Sequence, residues 1–131
     1  MSGPLLDRID LRVVMPRLEA TELVDGARAE GSAAVAARIQ RAWDRGRART
    51  GTANGQLRGR RLMAACAMDP RARRTLVDTA QGLELTARSI HRVMRVARTI
   101  ADLRDLEQVG SDEILAAASL RDRSMEVGLP A

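Results

Sequence analysis

The chain has 131 residues, of which 45% are hydrophobic and 30% charged, enough apolar material for one domain with a real core and too much for a disordered segment. Its net charge is +5 and every one of its 22 basic residues is arginine, a balance that suits either an arginine-decorated soluble surface or a footprint for phosphate and nucleic acid. A single Cys66 and a single His91 exclude a disulfide framework and a spaced zinc-ligand set, and no apolar run approaches the roughly 18 residues of a membrane helix, so a cytoplasmic protein is expected.

There is no Phe and no Tyr, and Trp43 is the only aromatic residue. The remaining apolar content is Leu, Val, Ile, Met and many Ala, which suits close helix–helix packing and leaves little for a sheet. An all-α domain of four to five helices is therefore expected. Residues 1–16 stand apart. Ile9, Leu11 and Val13 alternate with Asp10, Arg12 and Val14 at period two before Pro16, a strand pattern with no partner later in the chain. That orphaned strand belongs to a sheet outside this sequence, and residues 1–16 should lie loose or pair with another copy. Residues 17–31 are acidic and irregular, a linker with a short helical turn at 20–24.

Helices follow over 32–125, with 126–131 as a tail. Ser32 is placed to cap a helix to about Arg47, with Val35, Ile39, Ala42 and Trp43 on its inner face. Trp43 is expected to be a core or interhelix plug. Thr50-Gly51-Thr52-Ala53-Asn54-Gly55 breaks that helix and reads as the most flexible stretch. A second helix is expected over about 56–68. Asp69-Pro70 opens a third, running to about Ala80, with Leu76, Ala80 and Leu83 inward and Gly82 as terminator. Thr86 caps the best-defined helix, to about Arg104, on which Ile90, Val93, Met94, Ala97, Ile100 and Ala101 form one stripe. Ser111 is placed to cap a last helix through about Leu120, using Ile114, Leu115 and Ala118. Cys66, inside Leu62-Met63-Ala64-Ala65-Cys66-Ala67-Met68, reads as a buried core thiol.

The chain holds no phosphate-cradling GxxxxGK[ST] loop, no nucleophile–base pair and no metal cluster, so catalysis by this segment alone is not expected. Arg88 falls in the first turn of its helix, where a cation opposes the macrodipole. Arg92 and Arg95 follow at i+4 and i+7. Two readings stand: the solvated face of an amphipathic helix, or cations placed to meet an anion. The arginines of Arg58-Gly59-Arg60-Arg61 and Arg71-Ala72-Arg73-Arg74 offer another reading, a free-standing basic helical module that contacts nucleic acid, although no recognition helix or aromatic stacking platform accompanies them.

Two segments carry a resemblance. Gly3-Pro4-Leu5-Leu6-Asp7-Arg8-Ile9-Asp10-Leu11 and Leu85-Thr86-Ala87-Arg88, continued by Arg95-Val96-Ala97-Arg98-Thr99-Ile100-Ala101-Asp102-Leu103, closely resemble the C-terminal part of ComM-type, magnesium-chelatase-like AAA+ ATPases. The near-verbatim part covers roughly a quarter of the chain. Thr86 stands where the family has Ser, and Asp112-Glu113 and Leu120-Arg121 depart from the family's pattern in the last helix. The resemblance implies a helical lid preceded by the last strand of the ATPase core. It implies that Arg88 is the lid arginine called sensor 2, reaching the phosphates of ATP bound with magnesium in the core. It also implies that Arg8 is a finger toward a neighbouring subunit's nucleotide, although an Arg there can equally pair with Asp7 or Asp10. Arg92 and Arg95 either support the phosphate site or face solvent. The implied partners are the protein's own core, neighbouring subunits of a ring oligomer, and DNA, since such proteins are associated with branch migration and recombination. The lid of a metal-chelatase subunit is the competing implication.

Overall fold

The computed structural model describes residues 9–17, 19–24, 26 and 30–121. Arg8 and the proposed tail lie outside them. The described residues form no strand; residues 9–17 run without regular structure, followed by the one-turn helix α1 (Ala20–Val24). A bundle of five helices comes next: α2 (Ser32–Thr50), α3 (Gly59–Cys66), α4 (Pro70–Gly82), α5 (Ala87–Leu103) and α6 (Ser111–Ser119). The domain is all-α, as its composition requires.

Helix α5 is the axis of the bundle. It meets α2, α3 and α6, while α4 lies against α6. Val93, Met94, Ala97 and Ala101 are buried along one side, with Ile90 and Ile100 packed at its margins, which is the stripe that the sequence presents. The two alanines at its centre let neighbouring backbones come close. Around them Leu57, Leu62, Cys66, Met68, Leu76, Val109, Ile114 and Ala117 complete one continuous core. At roughly 25 cal/mol per Å² of apolar surface removed from water, these aliphatic side chains supply the main drive for folding.

Local chemistry starts two helices where expected. The Asp69 carboxylate accepts from the Ala72 N–H at 2.7 Å with Pro70 in the first turn, and the Thr86 hydroxyl accepts from the Ser89 N–H at 3.2 Å. Two other caps are corrected. Gly31 and Gly110, both extended, are the cap residues of α2 and α6, which moves Ser32 and Ser111 into the first turn. The Ser111 hydroxyl instead lies 2.9 Å from that of Thr75, joining α6 to α4.

The inner face of α2 is also corrected. Ala42 and Gly46 are its buried residues, while Ile39 is exposed and Trp43 is 49% exposed. Small residues let α2 approach α5, and an indole is too large for that seam. Trp43 therefore lines the rim of a shallow groove of about 230 Å³ with Ile39 and Leu103. Leu83 and Leu115, expected inward, are exposed as well.

The stretch expected to be loose is pinned. Gly51 ends α2 in the left-handed region (φ 73°), its N–H donating to Arg47 O at 2.7 Å. A 3₁₀ turn (Asn54–Gln56) follows, and Asn54 Nδ2 donates to Asp102 Oδ2 at 2.8 Å. Gly46 makes this possible, because Asn54 Oδ1 lies only 3.3 Å from where a Cβ would stand. Residues 9–17 are also fastened. The Arg12 N–H donates to Leu120 O at 2.8 Å, and Asp10 pairs with Arg92 at 3.0 Å, although Leu11, Val13, Val14 and Met15 stay exposed.

Candidate functional site

One end of the bundle carries an open cleft of about 550 Å³, and its walls include Arg58, Arg88, His91, Arg92, Arg95 and Asp10. The sequence brings these groups from three places. Arg88, Arg92 and Arg95 rise from the first three turns of α5, at i, i+4 and i+7. Arg58 is the residue before α3, extended (φ −138°, ψ 154°), and its side chain meets that of Arg95 at the Leu57 carbonyl. Asp10 arrives from the N-terminal segment.

The arginines differ in surroundings. Arg92 is buried, at 7% exposure, and its Nε donates to the Asp10 carboxylate. Arg95 is half-buried, with one long contact of 3.4 Å from Nη1 to Leu57 O. Arg58 Nη1 donates to Gly55 O and Leu57 O at 3.0 and 3.1 Å. Arg88 is exposed and has no ion pair among the described residues. The first turn of α5 has no acidic residue either. Four arginines thus face one aspartate. Burial first, and then the charges of Arg58, Arg92 and Arg88, pull the Arg95 guanidinium below its usual pKa, with Asp10 opposing. The reading of Arg92 as part of a solvated face does not hold. A site with fixed cationic charge and the positive end of a 17-residue helix is suited to an anion with several oxygens.

A second charged group, which the sequence did not disclose, lies at the other end of α5. Arg98 is wholly buried. Its Nη1 donates to Ala65 O at 3.2 Å and Glu107 O at 2.8 Å, and its Nη2 to Leu106 O at 2.6 Å and Asp102 Oδ1 at 3.0 Å. Asp102 also accepts from both terminal nitrogens of Arg49 and from Asn54. Burial alone would raise the Asp102 pKa, but the hydrogen bonds from Arg49 and Asn54 and the charges of Arg98 and Arg49 outweigh it and hold the carboxylate below its ordinary range. The only signal in the sequence was an oppositely charged i, i+4 pair interleaved with the Met94–Ala97–Ala101 stripe. The knot ties α2, α3, α5 and the turn after α5 together, so part of the segment that carries the resemblance serves the architecture.

Two arginines of the remaining basic clusters are held by backbone. Arg61 Nη2 donates to Thr50 O at 2.8 Å, a carbonyl left over at the end of α2, and Arg73 Nε to Met68 O at 3.1 Å, in the turn between α3 and α4. Among the described residues no group of three His, Cys, Asp or Glu could hold a metal ion, and no helix is long and apolar enough to cross a membrane.

A profile of the family "Magnesium chelatase, subunit ChlI C-terminal" matches residues 29–121, the whole of the bundle. The chain belongs to that family. Magnesium chelatase C-terminal relatives include YifB of Salmonella typhimurium, 35% identical over 122 residues, and the competence protein ComM of Haemophilus influenzae, 31% identical over 122 residues; each alignment takes in 92% of this chain and 24% of the relative. A Mycobacterium tuberculosis protein is 38% identical over 130 residues, again with 92% of this chain and 25% of its own. The chain therefore spans about a quarter of the length of these relatives. This magnesium chelatase C-terminal chain is all-helical in the matched region, and both the cleft arginines, Arg58 and those of α5, and the Arg98–Asp102 knot fall within it.

Proposed function

We propose that this domain is the lid of a chelatase-like AAA+ ATPase, in which Arg88 acts as sensor 2 against the phosphates of ATP and magnesium carried by the core. The observation that supports this most directly is Arg88 itself: an exposed cation at the start of the central helix, on the wall of a cleft where arginines outnumber carboxylates. A guanidinium is permanently charged and can hold two phosphate oxygens at once, which suits that task. The family membership and the ComM relative support the wider reading, an ATPase whose lid moves relative to its core. The parent is read as a ring oligomer that works on DNA in branch migration or recombination, as the resemblance implies; the printed name of that relative, a competence protein, is compatible with such a role. Arg8, outside the described residues, is proposed as the finger offered to the neighbouring subunit's nucleotide; such an arginine is worth about 10³–10⁵ in phosphoryl transfer.

The test is Arg88→Ala in the full-length ATPase. Hydrogen bonds to charged groups contribute about 1.5–3 kcal/mol. Hydrolysis should therefore fall about ten- to a hundredfold, with the thermal melt unchanged because Arg88 is exposed. Wild-type turnover at saturating ATP would remove Arg88 from the site. Loss of DNA branch migration in step with hydrolysis would support the motor reading.

A further inference from the structure

The cleft holds more cationic charge than a single sensor arginine requires. Arg58 and Arg95 both line it and converge on one carbonyl, Leu57 O, and the hydrogen bonds they make are to carbonyl oxygens, which carry no counter-charge. Arg92 is buried, and its counter-ion is Asp10, from a segment 82 residues away in sequence. Clustered guanidinium groups repel one another, and a fold tolerates that when an anion completes the set. In this conformation a carboxylate already lies in the cleft, with its oxygen 3.0 Å from Arg92 Nε.

We propose that Arg58 and Arg95 complete a polyphosphate subsite with Arg88, and that Asp10, held by Arg92, is the resident counter-ion that an incoming phosphate chain must displace or outbid. The proposal rests on the phosphate reading of Arg88 and extends it to three further residues. Arg58 and Arg95 then bind the phosphate chain of a nucleoside triphosphate alongside Arg88. Asp10 sets the affinity downward, and its release removes one of the contacts, beside that of the Arg12 N–H with Leu120 O, that hold the N-terminal segment. Phosphate binding at the cleft and the attachment of residues 9–17 to the bundle become mutually exclusive in part.

The experiment uses the 131-residue chain and inorganic tripolyphosphate at fixed ionic strength, followed by calorimetry and by backbone NMR shifts. Asp10→Asn should bind about two- to fivefold more tightly, the range open to a half-exposed charge. Arg95→Gln and Arg58→Gln should each bind about tenfold more weakly. Arg74→Gln, an exposed arginine of α4 away from the cleft, should leave affinity unchanged. Shifts at Ile9–Arg12 on adding tripolyphosphate to wild type should report the release of the segment.

Weaker or unchanged binding in Asp10→Asn would overturn the counter-ion assignment, because Asp10 would then merely position Arg92. An Arg74→Gln loss equal to that of Arg95→Gln would overturn the subsite, since binding would be diffuse surface attraction. A thermal melt of each unliganded variant separates lost binding from lost fold. These outcomes are independent of the Arg88→Ala hydrolysis test. Slow hydrolysis together with an indifferent Asp10→Asn retains the sensor and removes only the present proposal.

Discussion

Arg98 carries a permanent charge to a place that water does not reach, and Asp102 is the group that makes this tolerable. Both are essentially unexposed, and the guanidinium spends its terminal nitrogens on three carbonyls and the carboxylate. Removing one partner of such a pair costs about 3–5 kcal/mol, because the other charge stays buried. Asp102→Asn should lower stability at neutral pH by that order, measured as a shift in the urea midpoint. The pH dependence follows from the depressed carboxylate pKa. In the unfolded chain an Asp titrates near about pH 4. The stabilisation is complete above that value and is lost as pH falls through the lower, folded one. Wild type should therefore weaken steeply on acidification, and Asp102→Asn less steeply. Glu113 keeps a share of the slope: burial is outweighed by hydrogen bonds from Arg104 and the Gly110 N–H, which lower its pKa too.

At the scale of elements, a helix end is legible when one side chain decides it. Asp69 and Thr86 supply the oxygen that a first-turn N–H needs, and both helices start where those residues stand. Ser32 and Ser111 mislead because a glycine precedes each, and an extended glycine takes the cap position without a side chain. The inner face of α2 is hidden in the sequence for a different reason: apolarity alone favours Ile39 and Trp43, while the seam with α5 selects the small Ala42 and Gly46. The three arginines of α5 could be seen in the sequence as one series. Their association with Arg58 and Asp10 could not, because only the folded chain brings those residues to them. The turn after α3 gives a prediction at this scale. Ala67 is exposed and closes the helix in the left-handed region (φ 46°), which costs a non-glycine residue about 1–2 kcal/mol. Ala67→Gly should raise stability by about 0.5 kcal/mol after the extra freedom of glycine in the unfolded chain is subtracted, seen as a small rise in the melting temperature.

The whole molecule has an internal gauge of its cooperativity. Cys66 is buried where α3 meets α5, its thiol 3.7 Å from Met94 O. Burial pushes its pKa up to about 11 despite the opposing charges of Arg98 and Arg49. A thiol there is protected both by protonation and by the core around it. Alkylation at pH 8 should run at least about 10³ times more slowly in the folded protein than in denaturant, since only global opening exposes the sulfur. Rapid labelling without denaturant would mean that α3 detaches on its own. Such protection would also bear on the central helix as a mechanical part. The Arg98–Asp102 knot clamps α5 near its C-terminal end, while Arg88 stands free at the other, and 17 residues of helix are about 25 Å long. A tilt of about 5° about the clamp moves Arg88 by about 1.5 Å, the difference between a closed hydrogen bond and an open one. Because the same knot also holds Arg49 of α2 and the Ala65 carbonyl of α3, such a displacement would be carried to both helices.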